Sequence, residues 1–506
     1  MTISIQPLPP HCVEIITSTK NTSTSTGTCC MDMSNDTTNY DYQWPDQFAK
    51  NISDKVHRQV KCMLAESRLT RKSANEIHLI RHGEIVSVDR VLGSGAFSKV
   101  SAVTTNDGRR YACKHLRQNL MEKPEDFQLA AAELALEAHI LSSFDHPNIL
   151  KIRGWAANGI ASFENGKHDS FFLMLDLLQE TLDQRIERWR NQELQSMGSD
   201  IITTTTVASM STACTSPTIH TNATLTAYHH TLYLEKIRIM TEIASALEYI
   251  HLQGVVFRDL KPTNIGFSAE KNTVQIFDFG LSRELPSLDT STPFSMSGKV
   301  GTLRYMAPEV AAHQPYNISS DVYSWAIVSY EILSLVKPFF GWTRDLHADL
   351  VCNRGIRPET TNTIHPISTE MVVLLEQSWS SVPSNRGSMS QIGVQLQCLL
   401  SSQVSYLNDH QQRQTDYQEQ QQHQQQHQQH QRQFLDQQQQ QQISLEQPVN
   451  TNINNGGGFY IDNMPSCMLT YPPTALIVSK LTRRMSFETI ETINTSSLSL
   501  DSINYF

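Results

Sequence analysis

Apolar and polar positions follow two rhythms along residues 75–402. The first is alternation. IVSVDRV (85–91) and KVSAVTT (99–105) exchange apolar and polar residues on either side of a glycine turn, as the arms of a β-hairpin do, and YACKHL (111–116) adds a third short strand. The period then lengthens. FQLAAAELALEAHILSSF (127–144) reads as an amphipathic helix ended by Asp145-His146-Pro147, and YLEKIRIMTEIASALEYIHLQG (233–254) as a long helix stopped at Gly254. VYSWAIVSYEILSL (322–335) is apolar almost all round, which predicts a buried helix. Strands first and helices afterwards predict an α+β fold of two lobes, a small β-rich one and a larger helical one.

Outside this region the patterning fades. Residues 1–74 are rich in Ser, Thr and Asn and are expected to be mostly disordered, with a weakly indicated helix near 47–70. Inside the patterned region, a polar, low-complexity stretch at about 191–229 reads as a disordered surface insertion. Residues 403–445 are dominated by Gln with interspersed His, a composition expected to be disordered, with self-association or partner binding through the tract as its alternative role. Residues 446–506 read as a disordered tail whose one basic cluster, LTRRMSFETI (481–490), resembles a phosphorylation site.

Composition narrows the function. The chain has 506 residues, of which 39% are hydrophobic and 18% charged, with a formal net charge of −10. That charge gives no electrostatic reason to expect a nucleic-acid partner. No apolar run is long enough for a membrane span, and the N-terminus lacks a signal core. The nine cysteines are scattered, without a C-x-x-C pair. They suit a reducing compartment, so a cytoplasmic protein is expected, with the nucleus as a second location.

Several short stretches carry chemistry. Gly93-Ser94-Gly95-Ala96-Phe97-Ser98 lies between two strands, where glycines let backbone N–H groups approach phosphate oxygens. Alone it is more often an ordinary glycine hairpin. Lys114 follows on the next strand and needs a counter-charge, which the helix supplies as Glu137 or, one turn earlier, Glu133. VVFRDLKPTNIGF (255–267) then sets Asp259, Lys261 and Asn264 in one loop. A carboxylate can take the proton of an attacking hydroxyl, a lysine can neutralise phosphoryl charge, and an asparagine oxygen can ligate Mg²⁺. TVQIFDFGLSR (273–283) offers Asp278 at a strand end as a second metal ligand.

In this order the motifs resemble the eukaryotic protein kinase family over about 85–400, continuing through GTLRYMAPE (301–309), SSDVYSWA (319–326) and WSSVPSNRGS (379–388). The resemblance implies a bilobal protein kinase fold with ATP and Mg²⁺ as cofactors and protein substrates as partners. It implies that Asp259 is the catalytic aspartate, with Lys261 on the transferred phosphate and Asn264 and Asp278 on the metal. Leu92, Gly93, Ser94, Gly95, Ala96, Phe97, Ser98, Val100 and Ala112 would line the nucleotide, with Glu137 as the partner of Lys114. Glu309 would pair with Arg386, and Asp321 would brace the catalytic loop. LKPTN is similar to the serine/threonine-specific form of that loop, and DVYSWAIVSYEIL and WSSVPSNR are similar to the tyrosine-kinase-like group. The alternative is a pseudokinase or scaffold that binds nucleotide without transferring phosphate.

Three departures from the family pattern stand out. Phe257 replaces a usual His, where an apolar ring can pack on Phe279. Ser98 replaces the third loop glycine. Gly266 stands where the family has a bulky apolar residue beneath the adenine, which predicts a floor filled by neighbouring side chains, an open pocket floor, or a backbone with positive φ. Between Asp278 and Glu309, hydroxyls at 287–297 are expected phosphorylation sites that raise activity, with Arg258 retained to meet the phosphate; Thr302 is excluded because its family counterpart faces the catalytic Asp and Lys. LIRHGE (79–84) looks like the opening of a histidine phosphatase, but the glycine loop begins too soon after it to leave room for such a domain. Residues 77–80 are expected instead to pack outside the small lobe, before its first strand.

Overall fold

The computed structural model describes residues 42–70, 77–207, 218–287, 289–298, 301–361, 363 and 366–445. Chain contacts divide it after Glu419, and the patterned region lies in the first unit. In that unit the small lobe is a six-stranded sheet in the order β1-β5-β6-β4-β3-β2. Its strands are β1 (His78–Ile80), β2 (Ile85–Ser94), β3 (Ser98–Thr105), β4 (Arg110–Leu116), β5 (Ile152–Ala156) and β6 (Phe172–Leu175). The helix α2 (Pro124–Ser143) packs beneath it, with Phe127, Leu134, Ile140 and Leu141 buried.

Behind β6, the strand β7 (Leu178–Thr181) leads into the helical lobe and pairs with β9 (Ile265–Ser268), which pairs with β10 (Val274–Ile276). The short strands β8 (Val255–Val256) and β11 (Arg283–Glu284) form a second ladder. Around them lie α3 (Leu182–Val207), α4 (Thr218–Leu252), α5 (Pro308–Ala311), α6 (Ser319–Ser334), α7 (Arg344–His347), α8 (Thr369–Ser378) and α9 (Met389–Leu445). Every residue of α6 from Ser320 onward is buried, as its unbroken apolar surface predicted. Arg386, fully buried, forks onto Glu309 at 2.6 and 2.8 Å and joins the start of α5 to the loop before α9. No helix among the described residues is long and apolar enough to cross a membrane.

At the level of the fold, only the reading of residues 77–80 is corrected; the structure adds detail to three other segments. Within 1–74, residues Asp46–Leu64 form α1, whose Ala49, Ile52, Val56 and Val60 are buried. Their spacing of three to four is one helical face, and the helix matches the one indicated near 47–70. Residues 78–80 do not precede the sheet but join it: β1 pairs in parallel with β5. Gly154 permits this, because a Cβ there would stand 2.6 Å from the His78 carbonyl oxygen. The described parts of the 191–229 stretch are helical, 191–207 in α3 and 218–229 in α4, while 208–217 lies outside the described residues. The Gln tract is likewise helical through Leu445, and glutamine is a good helix former even where no core is buried. Residues 446–506 lie outside the described residues.

Candidate active site

Strand β4 carries Lys114 inward, and the side chain reaches a nearly closed position between the lobes. Its Nζ donates to Glu137 Oε1 and Oε2 on α2 at 2.8 and 2.7 Å, and to Asp278 Oδ1 at 2.7 Å. Burial works against the lysine charge, but the carboxylates of Asp278 and Glu137 outweigh it and raise the Lys114 pKa. The lysine charge in turn holds the Asp278 carboxyl below its ordinary value. Of the two candidate helix partners, Glu137 takes the lysine, while Glu133 accepts from Arg283 Nη2 at 2.5 Å.

The loop after β8 holds the second cluster. Asp259 Oδ2 accepts from Lys261 Nζ at 2.6 Å and from Asn264 Nδ2 at 3.0 Å. Its Oδ1 accepts from the backbone N–H and hydroxyl of Thr302 at 2.9 and 3.1 Å. Gly301, at φ +102°, makes that approach possible, since a Cβ there would stand 2.5 Å from the Arg258 carbonyl oxygen. The asparagine turns its amide NH₂ toward Asp259, which leaves its carbonyl oxygen for another ligand. Asp278 gives one oxygen to Lys114 and keeps a side chain 44% open to the cleft. These two oxygens are the hard donors that Mg²⁺ prefers, so the residues present fit the ion.

Asp321 braces the loop from below. Its carboxylate accepts the backbone N–H groups of Phe257 and Arg258, each at 2.8 Å, and its Oδ2 lies 2.9 Å from His251 Nε2. The Phe257 ring packs edge-on against Phe279 with centroids 5.0 Å apart, and Phe279 meets Phe144 in the same way at 5.6 Å. Arg258 is buried. Its side-chain hydrogen bonds go to the Leu281 carbonyl and to the hydroxyls of Ser297 and Tyr316, none of them a carboxylate.

Above the cleft, Leu92–Ser98 closes the β2–β3 hairpin. Gly95 N–H donates to the Ser98 carbonyl at 2.8 Å, and Leu92 and Phe97 are exposed. Val100 on β3 pairs with Lys114, and Ala112 on β4 with Ala102. A Cβ at Gly93 would meet nothing within 4 Å, so that glycine leaves space rather than filling a tight contact. Ser94 ends β2, paired with Lys99, and Ala96 follows in the turn.

The floor is where the structure departs from the sequence reading. Gly266 sits in β9, paired with Gln275 and Thr181, and is not among the residues with positive φ. Its missing side chain is no void either, since a Cβ there would lie 2.5 Å from Leu178 Cδ1. Leu178 enters from β7 and takes the space, so the open floor and the positive φ are overturned and filling by a neighbouring side chain is what the structure has. Nothing local in the sequence marked Leu178; only the absence at Gly266 pointed to a compensating neighbour.

Comparison with known proteins agrees with this geometry. Residues 86–397 match the family model described as protein kinase domain. The chain is 27% identical over 324 residues to a probable serine/threonine-protein kinase of Dictyostelium discoideum, covering 64% of this chain and 20% of that one. It is 33% identical over 156 residues to a serine/threonine-protein kinase of Arabidopsis thaliana, covering 31% of this chain and 26% of that one. A serine/threonine/tyrosine-protein kinase of the same plant is 35% identical over 156 residues, covering 31% and 38%. The chain therefore spans between a fifth and two fifths of the length of these relatives.

The packing of Leu178 over Gly266 generates a paired prediction. Gly266→Leu overpacks the floor and should cost about 1–3 kcal/mol of stability and weaken nucleotide binding. Leu178→Ala in the same chain should restore part of both. Thermal melts with nucleotide titration check this; Gly266→Leu with an unchanged melting temperature contradicts it.

Proposed function

The chain belongs to the protein kinase family, and from that premise we propose that it is an ATP-dependent serine/threonine protein kinase. It transfers the γ-phosphate of ATP to serine and threonine hydroxyls of protein substrates. The observation that carries this reading is the simultaneous placement of Lys114, Glu137 and Asp278 in one ion cluster with Asp259, Lys261 and Asn264 in the adjacent loop. A pseudokinase needs none of these contacts. Within the family, LKPTN and WSSVPSNR favour the serine/threonine enzymes of the tyrosine-kinase-like group.

Each residue then has a defined task. Asp259, held on both oxygens, orients the substrate hydroxyl and accepts its proton as the new P–O bond forms. Lys261, already within 2.6 Å of Asp259, offsets charge on the phosphoryl group in transit. Lys114 binds the phosphates of ATP, and Glu137 fixes its direction. Asn264 and Asp278 would hold Mg²⁺, which when bound neutralises phosphate charge. The backbone N–H groups of Gly93–Ser98 close over the nucleotide, with Leu92, Val100 and Ala112 above its ring and Leu178 below. Thr302 donates to Asp259 from the side, which keeps the carboxylate from swinging.

Arg258 supplies the control point. A buried guanidinium with only carbonyl and hydroxyl partners is incompletely compensated, and a phosphate on Ser297, whose Oγ already lies 3.0 Å from Arg258 Nη1, would complete it.

Two measurements follow. Asp259→Asn should retain nucleotide binding while kcat falls about a hundredfold or more, the size typical of general-base catalysis; undiminished transfer removes Asp259 from that role. Phosphorylation of Ser297 should raise kcat, read by comparing phosphatase-treated and untreated enzyme alongside Ser297→Ala. Treated and untreated enzyme of equal activity contradicts the control.

A further inference from the structure

The helix α2 carries Glu137, so whatever fixes α2 fixes the Lys114 contact. Its outer face is covered by residues 44–69, a segment lying N-terminal to the small-lobe sheet. Trp44 is buried edge-on against Phe127 at the start of α2, with centroids 4.7 Å apart. Its backbone N–H donates to the Gly166 carbonyl at 3.0 Å. Gly166, at φ +77°, has no room for a Cβ beside the Trp44 backbone. Along the middle, Ile52 and Val56 bury their side chains, and Gln128 of α2 donates to Gln59 at 2.9 Å.

At its far end the segment leaves α2 and reaches the strand that follows Asp278. Ser67 Oγ donates to Glu284 Oε2 at 2.8 Å and lies 3.0 Å from His139 Nε2 on α2. Arg68 then fastens to the same place. Its backbone N–H and Nε donate to Glu284 Oε1 at 2.8 and 3.1 Å. Its Nη2 and Nη1 donate to the Leu285 and Pro286 carbonyls at 2.5 and 3.3 Å. Next to Glu284, Arg283 is tied to Glu133 of α2, and β11 pairs with β8 immediately before the Asp259 loop.

From this arrangement we infer that residues 44–69 form an intramolecular brace, and that Arg68 is a positioning residue that sets α2 and the Asp278 segment in register for phosphoryl transfer. The inference rests on the kinase reading above. Arg68 touches neither nucleotide nor substrate; it acts through Glu284 and β11. Its carboxylate partner is largely covered, with a side chain 17% exposed, while Arg68 itself is 36% exposed. An ion pair at such an edge shifts an equilibrium by up to about fivefold. The effect therefore falls on the population of the aligned site and not on the survival of the fold.

The test uses the full chain with Arg68→Ala, with Glu284→Gln as the partner variant, and follows kcat, melting temperature and amide hydrogen exchange over 127–143 and 283–286. The expected result is a kcat lowered about fivefold, faster exchange in both segments, and a melting temperature within about 2 °C of wild type. Reversing the pair, Arg68→Glu with Glu284→Arg, should recover at least part of the lost kcat. Unchanged exchange in both segments overturns the brace, as does a kcat loss accompanied by general unfolding of both single variants. A wild-type chain that transfers no phosphate defeats the kinase reading instead, and the exchange data still decide the brace.

Discussion

One buried cation organises this molecule. Lys114 comes from the sheet, Glu137 from the helix beneath it, and Asp278 from the turn that follows β10. The lysine is nearly closed off from solvent, and the charges of the two carboxylates outweigh that burial and raise its pKa. Removing one member of a buried ion pair leaves an uncompensated charge and costs about 3–5 kcal/mol. The three side chains therefore hold one relative arrangement of β4, α2 and the Asp278 turn.

The rest of the site is built to tolerate local strain. Arg258 and Asp278 both have positive φ, at 72° and 67°, an uncommon backbone state for side chains of this size. In each case neighbours over-determine the turn. Asp321 accepts two consecutive N–H groups beneath Arg258, and Lys114 holds the Asp278 carboxylate. Phe257, Phe279 and Phe144 stack edge to face between these points, so the departure of Phe257 from the family pattern keeps an apolar column intact.

Much of this was legible in the sequence. Alternating strands, long helices and the ordered acidic, basic and amide residues of 255–280 identified the fold and the residues brought together in the cleft. Each of those signals is local: a period of two or of 3.6, or a motif within one loop. What escaped was set by contacts distant in sequence. The stripe of α1 was readable as a helix face, but its cover for α2 lies across many intervening residues. Leu178 is one apolar residue among several, and only the space beside Gly266 makes it a pocket floor.

The central claim is phosphoryl transfer to hydroxyls of protein side chains. It is tested most directly by incubating the full chain with γ-labelled ATP, Mg²⁺ and a generic protein substrate, followed by phosphoamino-acid analysis. The account predicts label on phosphoserine and phosphothreonine that disappears when Lys114 is replaced by Met. Label confined to phosphotyrosine, or no transfer by a folded, nucleotide-binding chain, would contradict it.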